Sequence, residues 1–347
     1  MDVRLSPEQV ALRDSAAQVA DRLGPHAVGE LDDPERAGKL DAAVAASGWR
    51  ELRTATDDGA PWASGVEVAL VAEELGRGLA DAPFLGPTLA AELRRLAGAP
   101  PAASPETVAL APDLSAVGCR PDGTPAGGCV AVDARGAASA LMLVPAAGGH
   151  TLAQVALADG AGRVDLTRAT AALDPAAAVV PVPDQAQVIT HDGETRWTAL
   201  GLALTSADLV GTMRGAVQLA ADYAKERRQY GKAIGSFQAV QHLLADAFVA
   251  MEGARSATLH AAWAVDALPA GDALAAAAVA KAYSARAART VCETAIQVHG
   301  GIGNTWECLA HVHLRRALLS SDILGGTGAN LARVLDHHGI EGARGLR

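Results

Sequence analysis

The sequence predicts a mainly α-helical protein with a small β domain in its middle, on three observations. Half of the 347 residues are hydrophobic, only 3% are aromatic, and alanine supplies much of the apolar content. Alanine has the highest intrinsic helix propensity. Apolar residues recur at helical spacing in both end regions, whereas short apolar runs broken by Gly, Pro and Asp fill the stretch between them.

The amino-terminal region, residues 1–105, is predicted to be a helical domain. Ser6 is expected to cap its first helix, because Pro7 follows at the position where a helix tolerates proline best. Further helices are predicted around residues 40–47 and 66–76, with Gly, Asp and Pro between them.

The middle region, residues 106–195, is predicted to be a reduced β domain. Its apolar runs are too short for helices and are bounded by residues that favour turns. The predicted strands are 107–111, 129–132, 140–144, 154–157, 178–182 and 186–190.

The carboxyl-terminal region, residues 196–347, is predicted to be a helical bundle. Its long periodic segments are 204–225, 236–268, 272–298 and 309–324. Four long helices joined by short links most economically form an antiparallel bundle.

Charge and cysteine content exclude several classes of protein. The formal net charge is −10, whereas nucleic-acid binding requires concentrated positive charge. No signal-peptide core and no stretch of about 18 uninterrupted apolar residues is found, so we expect a cytoplasmic protein without membrane insertion. No CxxC spacing occurs, which argues against a zinc site or a disulfide framework, among Cys119, Cys129, Cys292 and Cys308.

The stretch 226–242 is the first of two informative motifs. Arg227 and Arg228 stand at the predicted end of a long helix, followed by a Gly-punctuated turn and a helix that opens with amides. Cations at a helix carboxyl terminus are favourable against its dipole, which is the ordinary interpretation. The same planar guanidinium and side-chain donors would also suit a diphosphate. The residues alone leave both interpretations open.

The second motif runs from Gln297 to Gly303 and contains a Gly-Gly-x-Gly turn. Glycines permit positive φ and let a ligand approach the backbone closely, although glycine also commonly ends helices. The turn is not the dinucleotide-binding fingerprint, because no strand precedes it. His299 is expected to be a hydrogen-bonded structural histidine.

Together with a third segment, these motifs resemble the acyl-CoA dehydrogenase family. Its carboxyl-terminal domain carries R-x-Q-[FY]-G-x-x-[IL]-x-x-[FH]-Q, then Q-x-x-G-G-x-G, then L-R-[DR]-A. The matching segments here are 227–238, 297–303 and 314–317. Residues 164–168 also resemble a strand of short bacterial members, but the match in the middle of the chain is loose. The resemblance covers nearly the whole chain.

The resemblance implies the acyl-CoA dehydrogenase fold, with FAD as cofactor and an acyl-CoA thioester as substrate. In this family, a neighbouring subunit's carboxyl-terminal domain holds the diphosphate and adenine ends of FAD, so the chain is expected to be an obligate oligomer. Carried over by position, the residues expected at the diphosphate and ribityl-adenylate are Arg227, Gln229, Tyr230 and Gln238. Those expected at the adenine side are Gln297, Gly300 and Gly301.

The catalytic base of the family is missing. The reaction needs a carboxylate to take the α proton of the thioester. The resemblance places the family's glutamate either at or beside Gly325 or at Gly201, and glycine cannot abstract a proton. Asp208 lies about 10 Å beyond Gly201 along a helix. We interpret Asp208 as an ordinary helix acid and Asp322 as a solvated surface acid, and the catalytic residue stays unknown.

The middle region also departs from the family pattern. A segment like T-E-P-x-x-G-S-D, which covers the flavin, has no equivalent between residues 105 and 190. The residues expected to contact a neighbour's FAD are thus present, whereas the catalytic base and the segment that covers the flavin are absent. This combination resembles the short non-catalytic partner of α2β2 acyl-CoA dehydrogenases, including those that act on steroid side chains in actinobacteria.

The leading hypothesis is therefore one subunit of a FAD-dependent acyl-CoA dehydrogenase heterotetramer, paired with a homologous glutamate-bearing subunit. Such an enzyme would catalyse α,β-dehydrogenation of an acyl-CoA in lipid or steroid side-chain catabolism. Two alternatives remain open. One is a self-sufficient homo-oligomeric dehydrogenase with a displaced base, and the other is a non-catalytic scaffold without flavin.

Overall fold

The computed structural model describes residues 4–118, 128–162, 164–174 and 176–340. Its amino-terminal helices are α1 Pro7–Leu23, α2 Pro34–Ala46, α3 Gly65–Arg77 and α4 Leu85–Leu96. Ser6 caps α1 as predicted, since its hydroxyl accepts from the Gln9 amide at 3.2 Å and its own amide donates to the Gln9 side chain at 3.0 Å. Helix α4 is absent from the sequence prediction, because Pro87 in its first turn suggests a break.

A small, closed β-structure follows α4. Its strands are β1 Glu106–Leu110, β2 Val130–Val132, β3 Ser139–Ala146, β4 Gly149–Gly162, β5 Thr170–Leu173 and β6 Val180–Pro181. The strand order is β3-β1-β2-β5-β4-β6, and β3 also pairs with β4, so the first five strands close on themselves. Only small residues and a few larger apolar ones fill the interior, including Ala109, Ala131, Ala140, Met142, Ala153 and Leu173.

Two strand expectations are wrong. The run 186–190 contributes a single bridge, between Ile189 and His150, instead of a strand. Residues 164–168 form bends, because the Asp165 carboxylate accepts from the Thr167 amide at 2.8 Å and curls the chain locally. Strand β5, which follows these bends, was not predicted from sequence.

The carboxyl-terminal part is built from long helices. These are α5 His191–Glu226, α6 Gln238–Ala267, α7 Ala270–His299, α8 Ala310–Asp322 and α9 Thr327–His337. The four predicted helices are present, and α9 follows them. Helix α5 begins well before the predicted residue 204, because the Thr190 hydroxyl caps it by accepting from the Gly193 amide at 3.2 Å. The predicted mainly α fold with a small β domain is confirmed.

One hydrophobic core extends across the layers. It includes side chains from α3, α4, the β-structure, α5 and α7, among others, and alanines allow the helices to approach closely. Trp197 of α5 is fully buried, and its indole Nε1 donates to the Leu89 carbonyl of α4 at 2.9 Å. Burial of so large a side chain stabilises the fold by about 1.5–3 kcal/mol, and the hydrogen bond fixes α5 against α4.

Neither a membrane span nor a metal site is found within the described ranges. None of their helices is long and apolar enough to cross a bilayer. None of their side chains form a group of three or more His, Cys, Asp or Glu able to hold a metal ion. Cys119, one of the four cysteines in the sequence, lies outside these ranges.

A buried ionic cluster joins α5, α8 and the β-structure. Oδ1 of Asp208 accepts from Nη2 of Arg316 at 2.6 Å and from Nη2 of Arg168 at 3.1 Å. Oδ2 accepts from the Ser320 hydroxyl at 2.7 Å. Arg168 also donates to Asp133 at 2.7 Å. These side chains are almost wholly buried, so each charge depends on its partners rather than on water.

The cluster keeps Asp208 ionised. Burial by itself raises the pKa of a carboxyl group, but the Arg168 and Arg316 guanidiniums outweigh it and hold the pKa of Asp208 well below its usual range. The interpretation of Asp208 as an ordinary helix acid was therefore incomplete, because it is the centre of a buried network.

Replacing the central acid should destabilise the protein strongly. Asp208→Ala leaves two buried guanidiniums without their shared partner, and we expect a loss of about 3–5 kcal/mol in the free energy of unfolding. Urea denaturation of the purified chain measures this loss.

Asp222→Ala on the same helix is the matched control, because the Asp222 side chain is half-exposed and pairs with Lys225 at the surface. We expect it to cost less than about 1 kcal/mol. Equal losses for the two variants would show that the cluster contributes no more than a surface pair.

Candidate functional site

Helix α5 ends in a short β-hairpin that carries the first motif. Strand β7 Arg228–Gln229 pairs with β8 Lys232–Ala233, and the turn between them is Tyr230-Gly231. Both turn residues have positive φ, 50° and 78°, which is typical of a two-residue hairpin turn whose second residue is glycine. The Ile234 amide donates to the Arg227 carbonyl at 2.8 Å and closes the base of the hairpin.

The polar side chains of this hairpin face outward. Arg227, Gln229 and Gln238 are exposed, and Tyr230 is 90% exposed. Within the described part of the chain, the Arg227 guanidinium has no hydrogen bond or ion pair. Its planar donors are therefore available to an anion from outside the chain. The exposed Tyr230 ring makes an edge contact with Phe237, with 6.4 Å between the ring centroids.

The glycine turn of the second motif also faces outward. Helix α7 ends at His299 and is followed by Gly300, whose φ of 65° an L-residue would adopt only with strain. Gln297, Gly300 and Gly301 are exposed, and no atom lies within 4 Å of where a Cβ would stand on either glycine. The backbone there is open to a ligand or to another chain.

An aromatic stack brings the two motifs together. Tyr223, one turn before the end of α5, stacks on His299, the last residue of α7, with centroids 4.5 Å apart and planes at 24°. Nδ1 of His299 lies 2.7 Å from the Ala295 carbonyl, as expected of a structural histidine. Sequence reasoning missed Tyr223, because nothing in its spacing reveals a partner on another helix.

The two positions at which the resemblance predicts the family's glutamate, Gly201 and Gly325, are linked through Leu324. A Cβ on Gly201 would stand 2.2 Å from Cδ1 of Leu324, the residue next to Gly325. Leu324 is fully buried, has a φ of 61°, and donates its amide to the Leu114 carbonyl at 2.7 Å. Leu324 thus fills the space beside Gly201, whereas a Cβ on Gly325 would meet Ala329, Arg333 and Asn330.

Buried polar side chains fix the turn that presents Leu324. Nζ of Lys281 donates to the carbonyls of Ser320 and Ile323. Arg333 donates to the Leu324 carbonyl at 2.8 Å. Burial lowers the pKa of Lys281 to about 7, since the charged ammonium loses its hydration there. These contacts hold the turn between α8 and α9 against α5 and α7.

Two cavities are present in the described part of the chain, and neither lies at the turn. The cavity bordering Asp208, Leu204 and Leu85, next to the buried ionic cluster, has a volume of only about 10 Å³, enough for one water molecule at most. A larger cavity of about 440 Å³ lies elsewhere, between α2, α4 and the segments 99–106 and 133–137. Neither Gly201 nor Gly325 lines it.

The residues present fit one part of a flavin dinucleotide and not another. The outward guanidinium of Arg227 and the open backbone at Gly300 suit an anionic, nucleotide-bearing group seated mainly outside the chain. Leu324 packs so closely on Gly201 that even a methyl group there would overlap it, so neither a ring system nor an acyl chain fits between the two residues.

Comparison with curated proteins shows the family. The profile described as "Acyl-CoA dehydrogenase, C-terminal domain" matches residues 200–337. The acyl-CoA dehydrogenase FadE34 of Mycobacterium tuberculosis is 39% identical over 199 residues, which are 57% of this chain and 28% of FadE34. The chain therefore spans little more than a quarter of that relative. The acyl-CoA dehydrogenase IpdE2 of the same organism is 32% identical over 265 residues, 74% of this chain and 73% of IpdE2.

Comparison with solved structures shows the fold. A chain of the "Tcur3481-Tcur3483 steroid ACAD G363A variant" superposes with a TM-score of 0.78 at 23% identity, covering 96% of this chain and 98% of that one. A chain of the ChsE4-ChsE5 complex from Mycobacterium tuberculosis has a TM-score of 0.77 at 24% identity, covering 98% and 99%. The expected helix–sheet–helix arrangement is thus confirmed, and the chain belongs to the acyl-CoA dehydrogenase family.

Proposed function

We propose that this chain is a subunit of a heteromeric, FAD-dependent acyl-CoA dehydrogenase and completes the flavin site of a homologous glutamate-bearing subunit. One observation carries the proposal. The outward hairpin and glycine turn are linked by the stack of Tyr223 on His299, while Leu324 fills the space beside Gly201, one of the two positions at which we expect the family's glutamate. The chain therefore suits a contribution to a flavin site in another polypeptide better than the formation of a complete site of its own.

The hairpin would supply the contacts to the diphosphate. Arg227 offers a planar, permanently charged group with several N–H donors, which suits phosphate oxygens. Gln229, Tyr230 and Gln238 add neutral donors and acceptors beside it. Gln297, Gly300 and Gly301 would border the adenine, because the exposed glycine backbone allows close approach. FAD supplies hydride acceptance from Cβ of the thioester in this type of reaction.

The base for the α proton would come from the partner subunit. Within this chain, the Asp208 carboxylate is enclosed by two guanidiniums and a hydroxyl, and cannot reach a substrate. Asp322 is exposed on the outer side of the turn. Asp208 thus fails the first requirement of a general base, which is contact with the proton that it abstracts.

The named complexes support the heteromer and the substrate class. One neighbour of the same fold is described as a complex of two different proteins, ChsE4 and ChsE5, and another as a steroid acyl-CoA dehydrogenase. By analogy with these proteins, we propose an acyl-CoA thioester of lipid or steroid side-chain catabolism as the substrate of the assembled enzyme.

Removing the proposed diphosphate contact should release flavin from the complex. We expect the chain co-expressed with a glutamate-bearing homologue to purify with FAD, and the chain alone to purify without it. In the complex, Arg227→Ala should weaken FAD affinity by about 1.5–3 kcal/mol, as expected for loss of hydrogen bonds to a charged group. The flavin-to-protein ratio after dilution, measured together with native mass, tests this.

Arg13→Ala is the control, because Arg13 lies on α1 and pairs locally with Asp14. It should leave FAD retention unchanged. Flavin that stays bound in Arg227→Ala at dilute protein would exclude the proposed contact. A flavin-bearing isolated chain that acyl-CoA bleaches would instead identify a self-sufficient enzyme, and flavin in neither preparation would identify a scaffold.

The packed contact between Gly201 and Leu324 should appear as energetic coupling. Gly201→Ala alone should destabilise by about 1–3 kcal/mol, because the added methyl overlaps the buried leucine. Leu324→Ala alone should cost about 2–5 kcal/mol. The double variant should cost less than the sum, because the smaller side chain makes room for the methyl. Urea denaturation of the three variants gives the coupling.

Gly38→Ala provides the control for helix propensity. Gly38 lies inside α2, and no atom lies within 4 Å of where an added methyl group would stand there. This change should be neutral or stabilise by up to about 1 kcal/mol. Strict additivity of Gly201→Ala and Leu324→Ala would mean that the two residues do not fill one space.

A further inference from the structure

The cavity of about 440 Å³ lies between the amino-terminal helices and the β-structure. Its walls are the second half of α2 with the 3-10 helix Trp49–Glu51, one face of α4, the loop 99–105 and the turn 133–137 after β2. Pockets for small molecules usually measure about 300–1,000 Å³. The hairpin, the glycine turn and Gly201 do not border this cavity, so a ligand in it would leave the proposed flavin contacts free.

Short, rigid side chains keep the cavity open. In the part of the chain that the structure describes, its apolar lining consists of alanine and proline alone, among them Pro87 and Ala91 of α4 and the loop residues Pro101 and Ala102. Alanine and proline have almost no rotamer freedom, so they cannot swing inward to fill the space. A ligand would therefore enter a preformed site, without the cost of ordering the side chains around it.

The buried acids that line the cavity are already satisfied. Glu106 pairs with Arg94, and its Oε2 also accepts from the Gln154 side chain at 2.8 Å. Asp133 accepts from Arg168 at 2.7 Å and from two backbone amides at the start of α4, at 3.2 and 3.3 Å. These carboxylates are therefore occupied by the protein's own donors and do not attract a cationic ligand.

The two remaining acids of the lining lie toward solvent. The Asp41 side chain is 48% exposed and pairs with Arg50. Glu51 is exposed. Negative charge is thus confined to the solvent side of the cavity, where it is screened by water.

Arg135 is the lining cation with hydrogen-bond donors to spare. Its Nη1 donates to Oδ2 of Asp81 at 3.0 Å, and within the described ranges the guanidinium makes no other hydrogen bond. Arg36 already binds both oxygens of Asp81, each at 2.8 Å. Nε and Nη2 of Arg135 therefore remain for a ligand, and this edge of a guanidinium matches the two oxygens of a carboxylate.

We propose that this cavity is a second small-molecule site, which binds an organic carboxylate with an apolar body. The carboxylate accepts two hydrogen bonds from Arg135, and the apolar body packs on Pro87, Ala91 and the loop 99–105. Such a ligand touches both α4 and the turn after β2, so it joins the amino-terminal helices to the β-structure and stabilises the folded chain by mass action.

A matched pair of aromatic probes tests the charge preference of the cavity. The full chain is titrated with 2-naphthoate and with 2-naphthamide by isothermal titration calorimetry at neutral pH. The two probes share the apolar body, and only naphthoate carries the negative charge. We expect naphthoate to bind with a Kd below about 1 mM and naphthamide to bind at least about tenfold more weakly, because charge-assisted hydrogen bonds are the stronger ones.

One variant removes the proposed carboxylate contact. Arg135→Gln should reduce naphthoate affinity about tenfold and leave naphthamide affinity unchanged, because only the charged probe depends on the guanidinium. Arg36 keeps Asp81 paired in this variant, so the fold should persist, which circular dichroism checks.

A second variant fills the cavity. Ala91→Phe places a ring where the apolar body would lie and should weaken both probes at least about tenfold. Ala42→Phe is the matched control, because Ala42 is exposed on α2 and does not line the cavity. It should leave both affinities unchanged. If Ala91→Phe proves unfolded, the two probes and Arg135→Gln still decide the outcome.

Three results would overturn the proposal. The first is no measurable binding of naphthoate at millimolar concentration. The second is equal affinity for naphthoate and naphthamide in the unmodified chain. The third is unchanged naphthoate affinity in folded Arg135→Gln or folded Ala91→Phe. These titrations involve neither flavin nor acyl-CoA, so their outcome is independent of the function proposed above.

Discussion

The ionic contact of Asp208 with Arg168 and Arg316 is the constraint on which the arrangement of the layers depends. It joins the central helix α5, the chain after β4, and α8. An uncompensated charge at this depth would cost several kcal/mol, so the three segments are stable only when they meet. The same contact removes Asp208 from acid–base chemistry, because its carboxylate oxygens are already satisfied by arginine and serine donors.

Two parts of the carboxyl-terminal region differ in how closely they are packed. At the turn after α8, Leu324 packs on Gly201, and Lys281 and Arg333 fix the backbone around it. At the ends of α5 and α7, the hairpin and glycine turn leave their donors and backbone exposed. A packed interior beside Gly201 and an open, prearranged surface elsewhere are what the proposed role, completing a neighbour's site, requires.

Local chemistry made part of this structure predictable from sequence. The Ser6–Pro7 capping signal located α1, and the glycines after His299 located the end of α7. Helix α5 was placed too late, because its polar first turns show no apolar period and only the Thr190 cap marks the true start. The Asp208 cluster could not be foreseen, since its partners lie 40 and 108 residues away in sequence. The contact of Leu324 with Gly201 could not be foreseen either, since the two residues become neighbours only in the folded chain.

Hydrogen exchange in the assembled protein tests most directly whether the hairpin and glycine turn face a flavin in another chain. The amides of residues 227–238 and 300–304 would be followed in the complex with a glutamate-bearing homologue, before and after removal of FAD. We expect both segments to exchange more slowly with FAD bound, while α1 is unaffected. Unchanged exchange in both segments, in a complex that demonstrably holds FAD, would contradict the proposed donation.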